Sequence, residues 1–451
     1  MSPDILIDTG TFIHPAIVVL IIVSCILIPI INIRYSIFLM VLLSIIIPKT
    51  QRISIFTLNF NIIRLILLTG WIKIIFNKEL KLVKTEKIDK TIIYYVMVSS
   101  IVYVIQQSNL NAVIHMLGFS YDVIGTYFLY RIIIKRKEDI STIINSLAIV
   151  SVILAIFMFY EQWTGKNWFY VIGAENKFTP ARMGLLRSSG PFGHAITAGL
   201  FGATMIPLCF SMWRHKWGSP FFGFIGMLSA CVVVFTSSSM TSLVAGFSGI
   251  IALLFWPLRN RMRIVQYGIL FTAVVLQIIM ASPLWGLIKR MDFIKGASVE
   301  HRFMLVDNLI NHFNEWFLFG FPSTEKWGFG MWDRANQYFS EAVSGGLFKI
   351  ALFIMIIVFC FRIIGEKVKI IKDTPSRKKF WALGSALFAN VVGFFGISLW
   401  DQMLFVWWLF LALITSTCLI NDGEYVMINE VQKKLGEGQR GPEQHQSSAL
   451  V

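Results

Sequence analysis

Long apolar runs, separated by short basic connectors, constrain this chain more than any other feature of its sequence. A membrane-spanning helix needs about 20 mostly apolar residues, and runs of this kind recur from residue 12 to residue 420. Only 14% of the 451 residues are charged and the mean hydropathy is +0.69, whereas a soluble domain carries about 25% charged residues. The sequence therefore predicts an all-α polytopic membrane protein.

The apolar runs give thirteen candidate spans, and we expect about 12–14 transmembrane helices in a single domain over residues 1–420. The run at 35–48 is short for a full crossing, and the division of 380–420 depends on a turn around Asp401. The candidate spans are 12–31, 35–48, 55–76, 91–107, 112–134, 140–162, 192–212, 219–236, 239–257, 264–282, 343–364, 380–399 and 402–420.

Basic residues indicate which ends of the spans face the cytoplasm. The chain has 40 Lys and Arg against 25 Asp and Glu, a formal net charge of +15. Lys and Arg concentrate in the cytoplasmic loops of membrane proteins, so the charge needs no nucleic-acid partner. Connectors near 78–90, 135–137, 259–263 and 367–379 are therefore predicted to be cytoplasmic. Two long connections, 164–191 and 283–342, are then outward, periplasmic loops.

The first apolar run, the polar C-terminal segment and the cysteines each allow one further expectation. The first apolar run lacks the basic segment and cleavage site of a removed signal peptide, so we expect it to remain as an anchor. The polar segment 421–451 is predicted to be a disordered cytoplasmic tail. All five cysteines lie within apolar stretches and indicate buried small side chains, with no disulfide framework or metal cluster.

The two long loops are where function is expected, because short connectors suffice to hold a helical bundle together. The first contains Arg182 and Arg187, and the second contains Arg302 and Arg334. Basic residues on the translocated side oppose the topological bias and favour an anion-binding site. The alternative is that long loops translocate regardless of charge and that these side chains are solvated. Arg187 precedes the turn-forming stretch SSGPFGHA, whose free N–H groups would suit a phosphate.

Two segments of the second loop have polar residues beside apolar ones. Apolar positions from Phe303 to Phe313 recur at helical spacing, which predicts an amphipathic helix on the membrane surface. The segment DRANQYFSEAVSGGLFKI at 333–350 begins with polar residues and continues as a membrane helix. Ionisable groups at the membrane end of such a helix tend to be functional. Asn336 either caps this helix or belongs to an active site.

These stretches, in this order, resemble the O-antigen ligase and O-antigen polymerase superfamily of bacterial envelope glycosyltransferases. The match runs from RSSGPFGHAITAGLFG at 187–202 through SSSMTSLVAG at 237–246 and EHRFMLVDNLI at 300–310. It ends with FGFPSTEKWGFG and DRANQYFSEAVSGGLFKIALF, and the earlier GTYFLYRIIIKRKEDI is similar to the end of the family's fifth helix.

The resemblance implies a GT-C-like fold with a cavity for an undecaprenyl-pyrophosphate-linked glycan. The glycan is joined to an acceptor hydroxyl without a nucleotide sugar, a metal or another cofactor. By position, Arg187 and Arg302 match the arginines that hold the pyrophosphate in ligases. Pyrophosphate is already a good leaving group, so fixed positive donors are the main requirement. A base near the acceptor hydroxyl would still help.

The chain departs from the ligase pattern at two positions. Ala335 stands where ligases usually have a His before the Asn of the last motif, and Met240 replaces a common Arg. Another residue must therefore act as the base, and we favour Asp333 because it lies three residues before Asn336. The candidate catalytic residues are Asp333, Asn336, Glu341 and His301, with His194 as a further substitute for the base.

Loss of that His favours a polymerase, whose last motif varies more. Polymerases of this group also have an Arg, ten residues and then a Gly in both outward loops. Here Arg182 precedes Gly193 and Arg334 precedes Gly345 in this way. The resemblance therefore adds Arg182 and Arg334 to the pyrophosphate-binding set.

The function predicted from sequence is a polymerase of undecaprenyl-pyrophosphate-linked repeat units of a surface polysaccharide, an O-antigen or an exopolysaccharide. It would lie in the bacterial inner membrane with its active site facing the periplasm. Its partners would be the lipid-linked donor, the glycan acceptor, membrane lipids and a chain-length regulator, with no nucleic acid. Three alternatives remain: a ligase acting on lipid A-core, a flippase or transporter, and a structural envelope component. A transporter would have more charged residues in mid-span than Arg64 alone.

Overall fold

The apolar runs fold into a bundle of long helices. The structure, a computed structural model, describes residues 13–55, 58–78, 85–280, 282–287 and 297–438. Its helices are α1 (Pro15–Ile30), α2 (Ile33–Ile46), α3 (Ile62–Phe76), α4 (Lys87–Gln107), α5 (Leu110–Ser120), α6 (Thr126–Ile133), α7 (Lys137–Thr164), α8 (Ala195–His215), α9 (Pro220–Thr236), α10 (Met240–Leu254), α11 (Met262–Ile279), α12 (Ala297–Asn311), α13 (Phe313–Trp316), α14 (Gln337–Ile370), α15 (Thr374–Gly393) and α16 (Asp401–Gly438).

The described residues are mostly helical, as expected for an all-α polytopic membrane protein, and each of the thirteen apolar runs coincides with a helix. A π-helical turn, Tyr121–Gly125, joins α5 and α6 into one segment. Seven helical segments are long and apolar enough to cross a membrane, and four shorter apolar helices accompany them. The five cysteines are free; Cys209, Cys360 and Cys418 are buried as predicted, whereas Cys25 and Cys231 are half-buried.

Several predicted boundaries are wrong. The run at 55–76 begins with antiparallel strands β1 (Arg52–Ile55) and β2 (Leu58–Asn61). Helix α3 begins after them, at Ile62, and the Asn61 side chain caps it by accepting a hydrogen bond from the N–H of Arg64. The run at 380–399 stops being helical after Gly393, since glycines at 393 and 396 interrupt the apolar pattern. The last helix continues through Gly438, so it enters the tail predicted to be disordered. Residues 439–451 lie outside the described residues.

Both long connections also end at different residues from those predicted. The first extends past residue 191 to His194, which caps α8. It contains a 3-10 turn, Trp168–Ile172, and a hairpin of β3 (Ala181–Arg182) and β4 (Leu185–Leu186). The second ends at Asn336 instead of 342, because the Asn336 side chain caps α14. Its segment 288–296, with Lys289, Arg290 and Lys295, lies outside the described residues.

Helix α8 forms the centre of the bundle. Its residues from 195 to 209 are all buried, and it packs against α9, α10 and α15. Close approach depends on small residues: a Cβ at Gly199 would collide with the hydroxyls of Ser237 and Ser242. This packing fixes the end of α9 and the start of α10 beside the start of α8, where the first long connection enters the bundle.

A second, smaller core holds the long connection after α11. Leu305 of the predicted amphipathic helix, now α12, is fully buried with Trp316, Trp327 and Met331 against the first turns of α14. Helix α14 bends at Gly346, which has a φ of +68°. At this bend the N–H of Leu347 donates to the Phe317 carbonyl oxygen over 2.8 Å. The helical prediction for 300–313 is confirmed, and its position on a membrane surface remains a prediction.

Candidate functional site

One cavity of about 850 Å³ lies where the two long connections meet the ends of α8, α10 and α14. We call it the arginine cavity, because all four predicted arginines line it. The residues that line it are Arg182, Met183, Leu185, Arg187, His194, Ile196, Ser238, Ser239, Met240, His301, Arg302, Trp332, Asp333, Arg334, Ala335, Ser340, Ile397, Ser398, Leu399 and Trp400.

A buried carboxylate fixes the loop that presents Arg187. Glu161, near the end of α7, accepts hydrogen bonds from the N–H groups of Ser189 at 3.2 Å and Gly190 at 2.8 Å. The side-chain amide of Asn167 donates to the Gly190 carbonyl oxygen over 2.8 Å. The turn after Arg187 is therefore fixed by Glu161, because its backbone N–H groups donate to that carboxylate. The sequence-based expectation that these N–H groups would be free for a phosphate is wrong at Ser189 and Gly190.

Arg187 itself lacks a compensating group among the described residues. Its Nε is buried, and no described group hydrogen-bonds to it. Burial lowers the pKa of Arg187, and the positive charge of Arg182 lowers it further. A half-buried guanidinium that retains an open donor site and faces a second cation favours an anionic ligand.

Arg302 lines the same cavity from α12, and its guanidinium donates to two neutral oxygens. Its Nη2 donates to Thr241 Oγ1 over 2.7 Å and to the Gly396 carbonyl oxygen over 3.4 Å. Burial lowers the pKa of Arg302 to about 10, with the charges of Arg182 and Arg187 adding to the effect. Arg182 and Arg187 of the first connection therefore act electrostatically on Arg302 of the second.

Gly396 is required for this arrangement. A Cβ at residue 396 would collide with the Thr241 hydroxyl and would lie 3.0 Å from the Arg302 Nε. Only a residue without a side chain lets the backbone approach the guanidinium this closely. The segment after α15 thus contributes to the site, although the sequence had assigned it to a span.

Arg334 lines the cavity but is partly engaged elsewhere. Its Nη2 donates to the Pro322 carbonyl oxygen over 2.7 Å, and burial lowers its pKa. The Ser398 hydroxyl donates to its backbone carbonyl oxygen. Arg334 therefore links the second connection to the segment after α15. One of its guanidinium nitrogens already donates to a carbonyl oxygen of the protein.

The two histidines of the cavity have different surroundings. His194 caps α8, since its Nδ1 accepts the N–H of Ile196 over 3.1 Å. Burial, together with the charges of Arg187 and Arg182, lowers the pKa of His194 to about 4. His301 instead faces Asp333: its Nε2 is 2.9 Å from the Asp333 carbonyl oxygen and 3.7 Å from Oδ2.

Two of the predicted catalytic residues do not line the cavity. Asn336 is buried, and its Oδ1 accepts the N–H of Phe339 over 3.1 Å, so the cap interpretation is the one the structure supports. Glu341 is buried on another face of α14, where it accepts the Tyr95 hydroxyl over 2.8 Å and lies 3.3 Å from Lys349 Nζ. Ser340 lines the cavity instead, because adjacent helical residues point about 100° apart.

Sequence reasoning missed several parts of the site. The sequence predicts that Glu161 lies within a membrane span, and it assigns no role of its own to Thr241. The exposed Trp332 and the half-buried Trp400 give the cavity two aromatic walls. For Thr241, the preceding turn-forming run of serines, 237–239, is the available signal, because this turn reaches the cavity.

The arrangement suits an oxyanion better than a cation. Four arginines and two histidines line the cavity, and Asp333 is the one carboxylate among the described lining residues. Guanidinium forks match phosphate oxygens in geometry and charge. No protein-family model matches the chain, and no curated protein matches it either.

Proposed function

We propose that this protein is a glycosyltransferase that polymerises undecaprenyl-pyrophosphate-linked repeat units of a surface polysaccharide. One observation carries the proposal: arginines from two separate connections line a single cavity with Asp333 as the one carboxylate among its described lining residues. The buried Nε of Arg187 also has no partner in that part of the chain. A diphosphate ester supplies the charge and the oxygens that this site lacks.

The reaction requires little covalent chemistry from the protein. An acceptor hydroxyl attacks C1 of the donor sugar, the C1–O bond breaks, and the polyprenyl pyrophosphate leaves with the bonding electrons. Negative charge grows on the leaving oxygens, where fixed guanidinium groups of Arg187 and Arg302 stabilise it. Thr241 and the Gly396 carbonyl oxygen hold Arg302 in place before the substrate arrives, so little reorganisation is needed during the reaction.

Position 335 favours the polymerase over the ligase. Ala335 lines the cavity. Ligases usually have a histidine at this position, whereas this chain has only a methyl group there. Chain growth on a pyrophosphate carrier preserves the activated bond at every step. The donor is then the growing chain and the acceptor a single lipid-linked repeat unit.

The proposed location is the bacterial inner membrane, with the arginine cavity open to the periplasm. Two of the basic segments predicted to be cytoplasmic meet at Trp256, whose ring centroid is 4.4 Å from the Arg259 guanidinium carbon and 5.8 Å from the Arg377 one. Clustering of these segments supports a common cytoplasmic end under the positive-inside rule. Membrane lipids and a chain-length regulator complete the proposed partners.

Reconstitution of the full chain tests the proposal. Purified protein in proteoliposomes is supplied with lipid-linked repeat units extracted from the producing cells, and products are separated by size. A ladder of lengthened lipid-linked glycan, formed without added protein, is the expected result. Movement of the substrate across the bilayer without lengthening would show a transporter instead.

Deletion of the gene separates polymerase from ligase. Cells without a polymerase should have surface glycan capped with one repeat unit. If the deletion strain instead accumulates long lipid-linked chains, the protein is a ligase and the polymerase proposal is wrong.

A further inference from the structure

The hydrogen-bonding state of His301 follows from the atoms around it. Its Nε2 lies 2.9 Å from the Asp333 carbonyl oxygen, and a carbonyl oxygen can only accept a hydrogen bond. Nε2 must therefore carry the proton in this contact. In the neutral ring, Nδ1 is then the nitrogen with a free lone pair.

The surroundings of His301 leave Nδ1 accessible. Among the described residues no group hydrogen-bonds to it, and Gly330 passes beside it without a side chain: a Cβ added there would lie 3.7 Å from Nδ1. The His301 side chain is about 20% exposed and lines the arginine cavity. The lone pair is thus open to a ligand that enters the cavity.

The other histidine of the cavity has the opposite arrangement. An N–H group can only donate, so the Ile196 N–H requires an unprotonated Nδ1 on His194. The proton of neutral His194 then lies on Nε2, which makes His194 a hydrogen-bond donor. Glu341 is excluded by its burial outside the cavity. His301 and Asp333 remain as the groups that can accept a proton.

We propose that His301 Nδ1 is the general base that accepts the proton of the acceptor hydroxyl, and that Asp333 is its positioning residue. The inference rests on the proposed function. As the new bond between the acceptor oxygen and C1 forms, the hydroxyl proton moves to Nδ1. The leaving pyrophosphate takes the electrons of the broken C1–O bond, and the imidazolium then releases its proton to water in the open cavity.

Asp333 supports this role in two ways. Its carbonyl oxygen fixes the ring and the tautomer, and its carboxylate, 3.7 Å from Nε2, stabilises the imidazolium formed in the transition state. Asp333 is the one carboxylate among the described residues that line the cavity. The other charged or titratable residues that face the cavity are Arg182, Arg187, Arg302, Arg334 and His194.

The test compares substitutions at the two residues in the reconstituted lengthening assay. His301→Gln should lower kcat by about 10² to 10³-fold, because a positioned base contributes about 10² to 10⁴. The acid limb of its pH–rate profile should disappear. Asp333→Asn keeps the backbone contact and removes only the negative charge, so kcat should fall about tenfold. Its acid limb should move to lower pH, since the imidazolium loses a stabilising charge.

A matched control exists outside the cavity. His312 Nδ1 is paired with Glu315 Oε1 at 2.7 Å, and this histidine does not line the arginine cavity. His312→Gln should keep the wild-type rate and pH profile. If Asp333→Asn abolishes turnover while His301→Gln retains it, Asp333 is the base and the inference is overturned.

The same assay separates failure of the inference from failure of the proposed function. Wild-type protein that lengthens glycan, together with a His301→Gln variant of unchanged rate and pH profile, refutes the base assignment and leaves the function intact. Wild-type protein that gives no lengthening refutes the proposed function itself. Binding of inorganic pyrophosphate by His301→Gln should remain within twofold of wild type, which shows that the cavity is intact.

Discussion

Two arginine sites in this bundle differ in what surrounds the charge. Arg131 is buried and fully matched: its Nε and Nη2 each lie 3.1 Å from an oxygen of Asp89, which also accepts the Tyr127 hydroxyl over 2.6 Å. Arg187 has no carboxylate partner among the described residues and faces other arginines. A matched buried charge holds helices together, whereas an unmatched charge beside a cavity stabilises a ligand.

The largest expected effect is on folding, at the matched site. Asp89→Ala leaves Arg131 buried without its carboxylate, which should lower the free energy of unfolding by about 3–5 kcal/mol. Thermal unfolding in detergent measures the change. Arg187→Ala in the same experiment should be neutral or stabilising, because it removes repulsion among arginines. Equal destabilisation by both substitutions would contradict the claim that Arg131 is matched by a carboxylate and Arg187 is not.

The next effect is on turnover, at the unmatched site. Arg187→Ala and Arg302→Ala should each lower turnover by about 10² to 10³-fold, as expected when one donor is removed from a preorganised anion site. Arg187→Lys keeps the charge but loses the fork and should have an intermediate rate. Arg362, an exposed arginine paired with Glu366, provides the control, and Arg362→Ala should retain the wild-type rate. Wild-type product levels from both cavity variants at matched expression would contradict the catalytic assignment.

A smaller effect is expected when the orientation of a cavity arginine is loosened. Thr241→Val preserves shape but removes the hydroxyl that accepts from Arg302 Nη2 at 2.7 Å. Turnover should fall about tenfold, in line with the loss of one hydrogen bond to a charged group. Thr241→Ser retains the hydroxyl and should retain most of the rate. A rate for Thr241→Val equal to wild type would mean that Arg302 needs no such support.

The last effect is on the pH dependence of stability. His194 has a pKa lowered to about 4 in the folded protein, while an unfolded His titrates near 6.5. Between these values the unfolded chain binds the extra proton, so stability falls as the pH drops from about 6.5 toward 4. His194→Asn keeps a capping side chain without this titration and should be more stable than wild type at pH 5 by about 2 kcal/mol.

Thermal unfolding of both proteins at pH 5 and pH 7.5 measures this difference. The gap should be absent at pH 7.5, because His194 is neutral in both states there. Added pyrophosphate should narrow the gap at pH 5, since its negative charge offsets Arg187 and Arg182. An identical pH slope for the two proteins would show that His194 does not titrate across the transition.

The helices could be predicted from sequence, because long apolar runs mark membrane-spanning helices. Basic residues in the two long connections indicate an anion site, and the family resemblance adds which arginines would form it. Faces of helices could not be predicted: Ser340 reaches the cavity and Glu341 does not, and only the packing of α14 decides between them. Glu161 and Gly396 act through contacts with residues far away in the chain. Such contacts leave no local pattern, so a sequence-based interpretation assigned both positions to membrane spans.

Helix α11 has a practical consequence. None of its residues is buried, so its apolar side chains are free to vary as long as they stay apolar. A fluorescent probe attached along this helix should leave turnover unchanged. Quenching of that probe by labelled lipids at graded depths would then measure how the whole bundle sits in a bilayer, with the arginine cavity as the reference point.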